Sequence, residues 1–138
     1  MEFPGEDGLA GHSDADVLTH AVIDALLGAA ALGDIGSHFP DTDERWKGAD
    51  SVAMLASVVK EVRAAGYAVG NVDATVVCER PQIGSAVDIV RQRLATAMGV
   101  GNGRVSVKGK TNEGMDDVGA RVGIVVHCVA LLEELRGR

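Results

Sequence analysis

At 138 residues the chain can bury one real core and is too short for two. Hydrophobic residues make up 46% of it but aromatics only 3%, so that core must be packed from Val, Ala, Leu and Ile. A formal net charge of −7 excludes a nucleic-acid backbone as partner, since phosphates along a strand require clustered Lys and Arg. No run approaches the ~20 apolar residues of a membrane span, and no basic-then-apolar leader opens the chain, so a soluble cytoplasmic protein is expected. Cys78 and Cys128 make no disulfide framework; each sits in an apolar, strand-like run where a small buried residue fits.

In chain order, residues 1–10 are rich in turn formers (Pro4, Gly5, Gly8), and at most 1–3 read as the end of a strand. Ser13 is expected to cap a helix, its hydroxyl accepting from the N–H of Asp16. From Asp14 onward Val17, Leu18, Ala21, Val22, Ala25, Leu26 and Ala29 recur at helical spacing and define a buried face, and Gly33 is placed to stop the helix. Asp16, His20 and Asp24 fall one turn apart on one face. That pattern reads either as a stripe for a divalent metal or as an ordinary solvated face. Asp34, Asp41 and Asp43 then crowd a loop with Gly36, Phe39 and Pro40. Such a loop suits a cation, the hydroxyls of a polyol, or an amine; the competing reading is a set of turns in which Asp bonds its own backbone.

A second helix is expected over residues 50–65, with Val52, Leu55, Ala56, Val59 and Val62 on one side and Lys60, Glu61 and Arg63 on the other, ended by Gly66. Residues 71–78 are β-branched and read as a strand, left at Pro81, which cannot continue a central ladder. A third helix fits residues 85–98, broken by Gly99, Gly101 and Gly103. Residues 104–108 and 121–132 read as strands, the latter apolar on both faces and so expected to be buried on both. The fold class is therefore α/β (α+β): one mixed β-sheet with helices on one face, the other apolar face inviting oligomerisation. After the strand at 104–108, KGKTNEG (residues 108–114) offers two lysines, a hydroxyl and a carboxylate. These suit a diphosphate, with Lys for charge, Thr for a hydrogen bond and Glu for a bridging cation, or they form a solvated turn.

Taken together, HSDADVLTHAVIDALLGAAALGDIGSHFPDTD, WKGADS, GYAVGNVDATVV, RPQI and VKGKTNEG resemble the 2-C-methyl-D-erythritol 2,4-cyclodiphosphate synthase family of the non-mevalonate isoprenoid pathway. The match is most specific over residues 11–51, good to about 84 and patchier beyond, and it makes the chain, 1–138, one such domain. The resemblance implies a compact α/β subunit, a homotrimer with active sites between neighbouring subunits, and intramolecular phosphoryl transfer. In that reaction the 2-phosphate of 4-diphosphocytidyl-2-C-methyl-D-erythritol 2-phosphate attacks the β-phosphorus, closing a cyclic diphosphate and expelling CMP. Carried onto this sequence, it implies that His12, Ser13 and Thr111 donate to developing charge, with His12 and Thr111 catalytic. It places Asp34, Ile35, Gly36, Phe39, Asp41 and Asp43 at the erythritol. Cys78, Glu79, Arg80, Pro81, Gln82, Ile83 and Gly84 would cradle cytosine and ribose, and Lys110, Asn112 and Glu113 would face the diphosphate. His20 would be a zinc ligand, and Glu113 would hold Mg²⁺ or Mn²⁺.

Four departures accompany the resemblance. The family's Asp-x-His, source of two of its three zinc ligands, occurs nowhere here. Either the chain begins late relative to its gene or the metal site has been lost; zinc is expected to bind weakly, with Asp16 or a water completing the shell, and turnover to be slow. Lys110 and Asn112 replace threonines, and Gln82 stands where the family usually has Lys. Residues 117–123 read DVGARVG where the family has Phe/Leu-Thr-Gly-Arg-Gly-Glu-Gly, so Arg121 is displaced by one and in a strand would face the opposite side. These departures define a competing reading: a non-catalytic or repurposed cytidine-nucleotide-binding trimer of the same fold.

Overall fold

The computed structural model describes residues 8–39, 50–77, 87–110 and 125–135. In chain order these form helix α1 (Gly8–Ala29), the single turn α2 (Ile35–His38), helix α3 (Ser51–Ala64), strand β1 (Tyr67–Val77) and helix α4 (Val87–Met98). A 3-10 turn (Asn102–Arg104), strand β2 (Val105–Lys110) and strand β3 (Val125–Glu134) follow. The strands lie in the order β2-β1-β3, with β1 parallel to β2 and antiparallel to β3. Two parallel neighbours need a crossover, and α4 provides it. The expected mixed sheet is what the chain forms. Among the described residues no helix is long and apolar enough to cross a membrane.

Strand alternation decides where the core sits. Val72, Ala74 and Val76 of β1, with Val105 and Val107 of β2, point to the helices and are buried against Leu18, Val22 and Leu26 of α1, Leu55, Val58 and Val62 of α3, and Val90 and Leu94 of α4. The opposite face stays open. Val125, Val129 and Leu131 pair across β1 with Val77, Asp73 and Asn71 and are 38%, 72% and 61% exposed. The expectation that β3 is buried on both faces is thus corrected for the single chain. Only its Val126, Cys128, Ala130 and Leu132 face packs on the core, and there burial pushes the Cys128 thiol up to about 11, helped by the charge of Asp73.

The bounds of α1 and the start of β1 differ from expectation for local reasons. Helix α1 begins at Gly8, so Ser13 lies inside it and is not its cap. At its other end the left-handed residue is Ala31, at φ 58°, with Ala31 N–H donating to Gly28 O and Leu32 N–H to Leu27 O. Those two bonds close the helix before Gly33, whose own φ of 95° instead starts the following loop. An L-residue with a side chain is strained there, so Ala31→Gly is expected to raise stability by roughly 1 kcal/mol, read as a higher denaturant midpoint at unchanged slope.

Strand β1 starts four residues earlier than the sequence pattern suggested, because Gly70 is not a break. Pairing passes from Val69↔Leu132 to Asn71↔Leu131, which leaves Gly70 as the extra residue of a β-bulge. A methyl group there would sit 2.9 Å from the carbonyl oxygen of Leu131. Gly70→Ala must push the two strands apart and is expected to cost about 1–3 kcal/mol, measured in the same unfolding titration.

Candidate active site

The polar stripe of α1 is built into the fold at two of its three positions. Asp16 Oδ1 accepts from the hydroxyl of the buried Ser51 at 2.8 Å, tying α1 to the first residue of α3. Asp24 Oδ1 accepts from the backbone N–H of Ile35 at 3.0 Å, tying α1 to the loop that follows it. His20 between them is exposed. Among the described residues no three His, Cys, Asp or Glu side chains are grouped to hold a metal ion. Asp16 and Asp24 thus each commit one carboxylate oxygen to the fold, whatever their second oxygen holds. On this stripe His20 alone remains uncommitted, short of the four ligands of a zinc centre, so the described donors do not by themselves fit that ion.

The loop after α1 is a tied platform. Asp34 caps α2: its Oδ1 accepts from Ser37 N–H at 3.0 Å, while its own N–H faces Ser37 Oγ at 3.4 Å. The second carboxylate oxygen, Oδ2, takes no part in these bonds. His38 Nε2 donates to Leu32 O at 2.7 Å, and its Nδ1 lies 2.8 Å from Glu61 Oε2 on α3. Ile35 is half-buried on the core, and Phe39 is a core residue at 9% exposure, so any contact of Phe39 with a ligand falls to its backbone.

At the sheet the register carries the information. Val77 pairs with Lys110, so the last described residues of β1 and β2, just before Cys78 and Thr111 in the sequence, lie side by side roughly 5 Å apart. The expectation that the loop opens at Lys108 is corrected: Lys108 to Lys110 are still in the ladder beside Thr75 to Val77. Lys108 Nζ lies 2.9 Å from the Asp73 carboxylate, and this bond holds the Asp73 carboxyl below its ordinary range. Lys108 is thereby spoken for, and the exposed Lys110 is the cation next to the loop start.

Among the described residues, the 34–39 loop and the strand ends Val77 and Lys110 stand at opposite ends of β1. Through Glu61 the 34–39 loop is fixed near the C-terminal end of α3, just before β1 begins, whereas Val77 and Lys110 close β1 and β2 at the far end. The 11 residues of β1 separate them by about 33 Å. Asp41, Asp43, the stretch 78–84, Thr111, Asn112 and Glu113 lie outside the described residues, as do the side chains of His12 and Ser13, whose backbones belong to α1. Sequence reasoning missed His38 and the loop-holding task of Asp24. The signal available for the latter was its place on the α1 stripe, which was read only as a possible ligand position.

Fold and site define a small mixed-sheet α/β protein in which two parallel strands end side by side, and beyond such carboxyl ends proteins of this class receive ligands. The chain belongs to the YgbB family, whose profile matches residues 1–133. It is 52% identical, over 96% of its length and 84% of the relative's, to 2-C-methyl-D-erythritol 2,4-cyclodiphosphate synthase of Trichlorobacter lovleyi. It is 54% identical, over 99% of its length, to the bifunctional enzyme IspD/IspF of Anaeromyxobacter sp., of which it spans only 35%. Among solved structures, the bifunctional IspDF of Campylobacter jejuni superposes with a TM-score of 0.82 at 33% identity, covering 86% of this chain and 32% of that one. The IspF CDP complex of Plasmodium falciparum gives 0.76 at 27% identity, covering 87% and 72%.

Proposed function

We infer that the chain converts 4-diphosphocytidyl-2-C-methyl-D-erythritol 2-phosphate to the 2,4-cyclodiphosphate with release of CMP, in the cytoplasm, as a homotrimer whose sites are shared by neighbouring subunits. The observation that carries the activity is the 52% identity to a protein named for that synthase, over 96% of this chain. At that likeness the enzyme is favoured over a repurposed binding trimer. Sharing of the sites is supported by the distance between the 34–39 loop and the ends of β1 and β2, and the trimer by the exposed apolar strip Val125, Val129 and Leu131.

The reaction asks for little covalent help, because the nucleophile is a phosphate of the substrate itself; it needs an in-line arrangement and neutralised charge. Asp34 Oδ2 would accept from a tetritol hydroxyl while Oδ1 stays with the helix cap. The loop 78–84 would hold cytosine and ribose, largely through backbone groups, which tolerate Gln82 in place of Lys. A cytidine pocket is further supported by the related Plasmodium falciparum structure, a CDP complex. Lys110 would meet the diphosphate as a point charge, and His12, Ser13 and Thr111 would donate to the oxygens on which charge builds. Glu113 would hold Mg²⁺ or Mn²⁺, which when bound offsets phosphate charge. Zinc is proposed as a weakly held ion with His20 as one ligand, and no step is assigned to it.

The test is phosphorus NMR of the purified chain with substrate, magnesium and excess zinc. Appearance of the cyclic diphosphate together with stoichiometric CMP is expected. Binding of CDP with no cyclic product would leave a nucleotide pocket and remove the enzyme.

A further inference from the structure

We propose that Asp24 and His38 are positioning residues: from two sides they hold the loop of Asp34 in the shape that receives the hydroxyl-bearing half of the substrate. The proposal rests on the functional reading above and goes beyond it in assigning work to two residues that touch no reacting atom. Helix α2 has only 4 residues, far below the length at which a helix holds itself, so its shape must be imposed from outside. At its start, three backbone N–H groups need partners. Asp24 Oδ1 takes that of Ile35, and Asp34 Oδ1 takes that of Ser37. No described residue takes the N–H of Gly36. Among the described residues Gly36 N–H and Asp34 Oδ2 are thus a donor and an acceptor side by side without partners, and a hydroxyl group, which both gives and accepts, answers that pair.

At its end, His38 closes the turn. Its Nε2–H serves Leu32 O across the loop, a bond that the neutral Nε2–H tautomer keeps. Its Nδ1 reaches Glu61, which fastens the turn to the rigid helix α3 when the ring carries both protons. Asp24 is exposed on α1 and the His38 side chain is only part-buried, so both can be changed without opening the core. Loss of either tie frees the Asp34 loop while leaving the ends of β1 and β2, about 33 Å away, as they are.

The experiment compares binding of CDP with binding of 4-diphosphocytidyl-2-C-methyl-D-erythritol, which carries the hydroxyls but lacks the attacking phosphate and cannot cyclise. Calorimetry is run on the wild-type chain and on Asp24→Ala, Asp24→Asn and His38→Ala. The wild type is expected to bind the tetritol compound more tightly than CDP. Asp24→Ala and His38→Ala are expected to lose about tenfold or more for the tetritol compound with CDP affinity unchanged. Asp24→Asn, which keeps an oxygen for the Ile35 N–H, is expected to stay within about threefold of wild type. If the wild type binds both compounds and the alanine variants keep the preference, positioning is overturned while the functional reading stands. Equal losses for CDP and the tetritol compound also overturn it, since they report general damage. A wild type that binds neither compound removes the functional reading, and the proposal with it.

Discussion

Asp34→Ala is expected to lower kcat/KM for cyclisation at least about a hundredfold, through two separate losses. The first is the charged acceptor, Oδ2, proposed for a substrate hydroxyl. The second is the cap on α2, where Oδ1 holds the N–H of Ser37 at 3.0 Å. A single turn with no cap does not keep its shape, so Gly36 would move as well. Asp34→Asn separates the two losses, because Asn caps as well as Asp does but brings no charge. It should recover the part of the loss that comes from loop shape, and steady-state kinetics of both variants beside CDP inhibition constants would check this. Alanine activity equal to wild type would mean that the platform receives no substrate group.

Converting Val129 and Leu131 together to Asp is expected to leave a folded monomer with activity below about a thousandth of wild type. Both side chains stand on the outward face of β3, 72% and 61% exposed in the single chain, so the substitutions open no cavity in the core. In an assembled trimer the same positions would be desolvated, and two carboxylates per subunit without partners would oppose association by several kcal/mol. On the shared-site proposal activity would fall with assembly, because each site would take one half from each of two neighbours. Sedimentation and turnover measured on one preparation would settle it. Monomers that still cyclise substrate would show that the halves meet within one chain after all.

The elements of this fold were legible because the chain is locally consistent. Helical spacing from Val17 to Leu26, the β-branched run from Val72 to Val77 and the glycines after α4 each point to the element that forms. Misreadings arose where a residue serves a partner distant in sequence. Gly70 fell outside the strand expected over 71–78, yet it is the bulge that lets β1 stay paired with β3 through Tyr67↔Glu134. Asp16 and Asp24 have the spacing of ligands, but one bonds Ser51, 35 residues on, and the other Ile35, 11 residues on. Spacing along a helix states which side chains share a face and is silent on what packs opposite. Likewise Lys108 and Lys110 read alike in KGKTNEG, and only the pairing of β2 with β1 gives Lys108 to Asp73. The apolar character of β3 was read correctly, but whether its second face meets core, solvent or another subunit is not written in alternation.

The shared site is the claim that joins the proposed activity and trimer to the separation along β1. Asp34→Ala and Thr111→Ala would each be made, shown to retain no more than about 1% of wild-type turnover, and then co-expressed in equal amounts. If each site takes Asp34 from one subunit and Thr111 from its neighbour, about three quarters of the random trimers are mixed. Each mixed trimer then carries one intact site in three, so the mixture should recover about a quarter of wild-type turnover. Turnover no higher than the mean of the two variants alone would contradict the shared site.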